Sequence, residues 1–139
     1  MAGVASKNVA ATEAMVEMFN RGEIDDLLAR FAADEIVFDY SRSLGPDQKG
    51  LYRGVEEVGR FLRDLLEPWE EFELFVDEST EVGDDIVVVD SHTRSLGRGS
   101  GIEVDARGAM LFEFRGDRLA AWRLFQDKEE ALASAEEGE

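Results

Sequence analysis

The stretch Ile86–Asp127, IVVVDSHTRSLGRGSGIEVDARGAMLFEFRGDRLAAWRLFQD, constrains this chain more than any other. It reads as three long β-strands in succession, joined by two glycine-containing turns. Strands that follow each other this directly pair antiparallel, because a parallel pair needs a crossover of about a dozen residues or more. A doubly wound parallel fold is therefore excluded. The apolar residues upstream are then the material that covers one face of this sheet.

The upstream pattern supplies that cover. Val9, Met15, Val16, Met18 and Phe19 lie on one face of a helix expected over Ser6–Asn20, which Arg21-Gly22 stops. A short second helix follows, with Ile24, Leu27, Leu28 and Phe31 on one side. Asp25 and Asp26 in its first turn complement the helix dipole. Glu35–Tyr40 (EIVFDY) reads as a strand and Ser41–Gly50 as a loop. A third helix begins after Gly54, carries Val55, Val58, Phe61, Leu62 and Leu65, and ends before Pro68. Phe72–Val82 alternates as a strand, with Phe72, Leu74 and Val76 on one face. Asp127-Lys128-Glu129-Glu130 has the form of a capping box that opens a terminal helix. Residues 1–5 and 134–139 are expected to be loose tails around a single domain spanning 1–139. Helices at one end and consecutive strands at the other define an α+β protein with a mostly antiparallel sheet.

Composition narrows the partners. The chain has 139 residues, the size of one domain, and nine Phe and two Trp give bulk for a core. Its formal net charge is −17, which repels phosphate backbones and anionic lipid, so neither nucleic acid nor membrane is an expected partner. There is no cysteine, hence no disulfide framework, thiolate nucleophile or Cys-ligated metal. One histidine and no clustered ligand spacing give no metal site, and no cofactor is expected. Arg53, Arg94, Arg98 and Arg107 are scattered and form no phosphate cradle. Glycines 97, 99 and 101 fit a hairpin rather than a nucleotide loop, because no helix follows them. The N-terminus lacks a signal peptide's apolar core, so a cytoplasmic protein is the expectation.

Several short motifs in order carry a family resemblance. Phe19-Asn20-Arg21-Gly22-Glu23-Ile24-Asp25, followed by Leu28, Phe31, Asp34 and Val37, is similar to the opening of nuclear-transport-factor-two-like, cone-shaped domains. Tyr52-Arg53-Gly54, the Gly97–Gly101 hairpin and Phe114-Arg115-Gly116-Asp117-Arg118-Leu119 resemble the SnoaL-like branch, which includes small polyketide cyclases. The resemblance runs from Val9 to Leu132. It implies a curved, mostly antiparallel sheet wrapped around a long N-terminal helix, a cone with an internal pocket, and an outer sheet face used for homodimerisation. It does not imply one chemistry, since the fold hosts isomerases, cyclases, dehydratases and binding modules.

Strand parity assigns faces. Val104, Ala106, Gly108, Met110, Phe112 and Phe114 share one face, expected to be concave, and Trp122, Leu124 and Gln126 join it. On Ile86–Leu96, Val87, Val89, Ser91 and Thr93 oppose Val88, Asp90, His92 and Arg94. The second set carries three consecutive ionisable positions, which favours solvent or a second subunit. Ligand contacts are expected from Tyr40, Met15, Phe61, Met110, Phe112 and Trp122.

Two residues are candidates for proton transfer. The run ending in Asp39 resembles the segment that delivers the general base of ketosteroid isomerases. A carboxylate at the mouth of an apolar pocket would have a raised pKa suited to that work. An Asp at a strand end is also an ordinary turn residue. His92 is the one side chain poised by default near neutrality, as an acid/base group if it faces inward and a surface contact if it does not. The same comparison argues against isomerisation, because the positions matching that family's oxyanion donors hold Met15 and Met110, which cannot donate. Two functions follow: a cofactor-free cyclase- or isomerase-type enzyme acting on a hydrophobic substrate, or a non-catalytic ligand-binding or dimerisation module of the same fold.

Overall fold

The computed structural model describes residues 7–40 and 50–137. Helices α1 (Lys7–Asn20) and α2 (Ile24–Phe31) lead into strand β1 (Ala32–Asp39). A short β2 (Leu51–Arg53) and helix α3 (Val55–Leu66) precede four strands: β3 (Trp69–Val82), β4 (Ile86–Gly97), β5 (Glu103–Arg115) and β6 (Arg118–Phe125). Helix α4 (Lys128–Glu137) closes the order. None of the described helices is long and apolar enough to cross a membrane.

The strands form one six-stranded sheet in the order β2-β1-β6-β5-β4-β3. Every neighbouring pair is antiparallel except β1 with β6, which is parallel because α3 and the later strands lie between them in the chain. The α+β cone is as expected, with a curved sheet around the N-terminal helix.

Local chemistry explains the joints. At the end of α1, the Glu23 amide donates to the Met18 carbonyl at 3.0 Å and the Gly22 amide to that of Phe19 at 3.0 Å. Gly22 has φ +77°, so this is a Schellman turn that a side chain at the position would strain. Asn20 then pins the free edge of β3. Its Nδ2 donates to the Leu74 carbonyl at 2.9 Å, and its Oδ1 accepts from the Leu74 amide at 2.8 Å. A side-chain amide thus takes the place of the neighbouring strand that β3 lacks.

The core lies on both faces of the sheet. On the concave face, α1, α2 and α3 bury Met15, Phe19, Leu27, Val58 and Leu62 against Ile36, Phe38, Val87, Val89, Phe112 and Trp122. On the convex face, α4 lays Ala131 and Ala135 over Ile86, Val88, Ala109, Leu111 and Phe125. This explains the unbroken apolar run Ile86–Val89, all of it buried. A strand covered on both sides needs no polar alternate.

Three expectations are corrected here. The outer face was assigned to solvent or a second subunit, but α4 covers the part around Val88 and Leu111. The stretch 134–139 was assigned to a loose tail, but it is helical as far as Glu137, held by the buried Ala135. β1 starts at Ala32 rather than Glu35, directly after α2. The capping box forms in part: the Glu130 amide donates to Asp127 Oδ1 at 2.8 Å, while Glu130 Oε1 is buried with no partner among the described residues. Expectations for residues 1–6, 41–49 and 138–139 lie outside the described residues.

Candidate functional site

Part of the interior between sheet and helices is filled by aromatic packing. Trp122 stands 4.9 Å from Phe112, 5.2 Å from Phe38 and 6.0 Å from Phe19, centroid to centroid. Its indole Nε1 donates to the Met110 sulfur at 3.3 Å, which satisfies a donor that burial cuts off from water. Met15 and Phe112 are fully buried in the same cluster. Of the six residues expected to meet a ligand, Met15, Phe112 and Trp122 are therefore core, and Trp122 and Phe112 back the site rather than line it. Phe61 is half-buried and stacks at 4.1 Å on Tyr52, outside the cavity lining. Tyr40 and Met110 do line it.

Beside this packing an open cavity of about 600 Å³ remains. Leu65, Trp69, Phe72, Leu74, Met110 and Leu124 form its apolar walls. Its floor is a row of small residues, Ser91, Thr93 and Ser95 on β4 against Ala106 and Gly108 on β5. The hydroxyls of Ser91 and Ser95 donate to the carbonyls of Gly108 and Val104 at 3.3 and 3.4 Å. Their protons point back into the sheet, so the floor offers oxygen lone pairs to whatever sits above. Ser95, Leu65 and Leu74 were missed as lining residues. The signal was present for Ser95, which continues the alternation of Val87, Val89, Ser91 and Thr93.

The cavity also runs over an edge of the sheet. β6 ends at Phe125, opposite Ala109, while β5 continues to Glu103. Lining residues therefore come from both faces, Leu124 and Met110 from one and Ala109 and Phe125 from the other. His92 and Arg107 border it at this edge.

Asp39 is not at the cavity. Phe38 stands opposite Trp122 and Asp39 opposite Arg123, so alternation turns Asp39 to the convex face. There its carboxylate accepts from Arg123 Nη1 at 3.3 Å beneath α4, beside Glu113 and Ser134. The same alternation was legible in EIVFDY, where Ile36 and Phe38 claim the interior.

His92 falls on the convex side with Val88. Its ring stacks on Phe75 at 4.6 Å and 11°, and Nδ1 stands 2.9 Å from Asp77 Oδ2. Asp77 lies two residues along β3 from Phe75, the direct partner of His92, so alternation sets it on the same face. A carboxylate on Nδ1 orients the ring and leaves Nε2 for another partner. Among the described residues, no three His, Asp or Glu side chains stand together as metal ligands.

Fold and site together define a class: an α+β cone with one open, mostly apolar cavity between sheet and helices. The sequence pattern of the SnoaL-like domain matches residues 12–122, and the chain belongs to that family. No curated protein matches it in sequence. Among solved structures, an NTF2-like protein from Burkholderia pseudomallei is similar at 22% identity and TM-score 0.74, over 93% of this chain and 97% of that one. A Shewanella putrefaciens protein, provisionally assigned as a SnoaL-like polyketide cyclase, is similar at 10% identity and TM-score 0.74, over 98% and 100%. TerC, crystallised with polyporic acid, is similar at 18% identity and TM-score 0.74, over 94% and 99%. Likeness at these identities is likeness of fold.

Proposed function

We propose that this SnoaL-like protein holds a small hydrophobic molecule in its open cavity and does not transform it. The observation that carries this reading is the cavity itself: about 600 Å³, apolar-walled and floored by hydroxyls, with no carboxylate among its described lining residues. That volume suits a compound of drug-like size. Proton transfer at carbon needs a base within reach of the ligand, and Asp39 lies beneath α4, outside the cavity lining. The similarity to TerC, crystallised with polyporic acid, supports a small-molecule ligand for the space between Trp69, Phe72 and the Ser91–Ser95 floor.

The test is a thermal-shift screen of hydrophobic ring compounds, followed by chromatography of each binder after long incubation. A binder should raise the melting temperature and be recovered intact. No shift with any compound, or recovery of a rearranged product, would overturn the reading.

The second reading is a cofactor-free cyclase- or isomerase-type reaction. The pairing of His92 Nδ1 with Asp77 favours it, since that geometry suits a general base at the cavity's edge. It predicts turnover that is lost in His92→Gln with binding kept. A homodimer through the uncovered part of the outer sheet face, in a cytoplasmic setting, completes the proposal. Sedimentation across a concentration series tests the dimer, and a monomer throughout removes it.

A further inference from the structure

We propose that His92 and Arg107 together anchor a carboxylate at the open edge of β5, where the cavity reaches the convex face, on a ligand whose apolar body lies in the same cavity. The inference rests on the binding reading above and names the ligand class. The two residues are direct partners across β4 and β5. Directly opposed side chains on one sheet face have Cβ atoms about 5 Å apart, so both can reach one pair of oxygens. Both border the cavity and also the depression beside it, which Arg94 and Asp105 share.

Each is available for the work. Asp77 takes the proton on His92 Nδ1, and Phe75 fixes the ring plane, so Nε2 faces the ligand and, carrying the proton the ligand acid gives up, donates to its carboxylate. Arg94, two residues along β4, is paired with Glu103 and Asp105. Arg107 has no ion-pair partner among the described residues, in a chain with 32 acids to 15 Lys and Arg. The position matters as much as the charge. β6 has ended at Phe125, so the edge of β5 at Arg107 opens to the cavity instead of to a neighbouring strand. A planar guanidinium with an imidazole at its side suits a planar, two-oxygen acid. The hydroxyl floor adds no such selectivity, since the Ser91 and Ser95 protons are committed to the sheet.

The experiment is calorimetric titration with three ligands that share a ring and differ in head group: 1-naphthoic acid, 1-naphthalenemethanol and 1-naphthylmethylamine. The acid should bind at least about tenfold tighter than the alcohol, the expected worth of a charge-assisted pair, and the amine weakest. Arg107→Gln should bring the acid to the alcohol's affinity and leave the alcohol unchanged. Arg107→Lys should keep part of the preference, and His92→Gln should reduce it. Both positions are at least partly exposed, and melting curves confirm that the variants fold. An acid no tighter than the alcohol, or a preference that survives Arg107→Gln, overturns the anchor alone. Failure of all three to bind the unaltered protein overturns the cavity reading, and the anchor with it.

Discussion

Asp39 and Trp122 show how far a single residue's role depends on which side of the sheet it faces. Asp39 sits with Arg123 under α4, its side chain 16% exposed against 33% for Arg123. Asp39→Asn removes the charge while keeping the shape and leaves Arg123 short of an anionic partner. The cost should be about 1–3 kcal/mol in urea unfolding, below that of a fully buried pair because water still reaches Arg123. Ligand affinity should not change, and a loss of binding without a loss of stability would show that Asp39 does meet the ligand. Trp122→Ala empties part of the aromatic packing and strands no polar partner, since a thioether asks little of a donor. It should cost about 3–5 kcal/mol. Alternation outweighs a family likeness at this position. Ile36 and Phe38 already placed Asp39 outside.

At the scale of elements, most of the order was legible because each segment carries its own signal. Amphipathic spacing marked α1, α2 and α3, Gly22 the end of α1 and Pro68 that of α3, and alternation marked β3 to β5. What alternation cannot give is a bulge. Leu119 and Trp122 have opposite parity yet share the concave core, because the β5–β6 register shifts between Glu113 and Phe114. The role of α4 was hidden for a different reason: Ala131 and Ala135 carry little hydrophobic signal, and small residues matter there because they let a helix lie close on Val88 and Leu111. Ala131→Glu should therefore cost about 2–4 kcal/mol by driving a charge into an apolar contact, despite looking like a surface change in sequence. Asn20→Ala should cost about 1–3 kcal/mol and leave the Leu74 amide on an open edge. Its clearest sign would be concentration-dependent aggregation, absent in the unaltered protein.

For the whole molecule, charge is the dominant property. A net −17 on one domain sets acids against each other in the folded state, where they are closest. Raising sodium chloride from about 20 mM to about 500 mM shortens the screening length to a few Å and should raise the melting temperature. A flat or falling response would mean that the pairs Arg115–Glu35 and Arg94–Asp105 outweigh the repulsion. The field bears on ligand choice too. A net acidic surface turns anions away, so an acid that binds must owe its affinity to particular cations at the cavity.

The two tryptophans give the molecule its own optical readout. Trp122 is sealed in the aromatic packing with its N–H on the Met110 sulfur, and Trp69 stands in the wall of the open cavity. The first should emit in the blue and ignore ligands until the chain unfolds. The second should shift or quench as the cavity fills. In a Trp69→Phe variant, fluorescence should follow unfolding alone. Occupancy and stability can thus be read as separate colours in one cuvette, without a label.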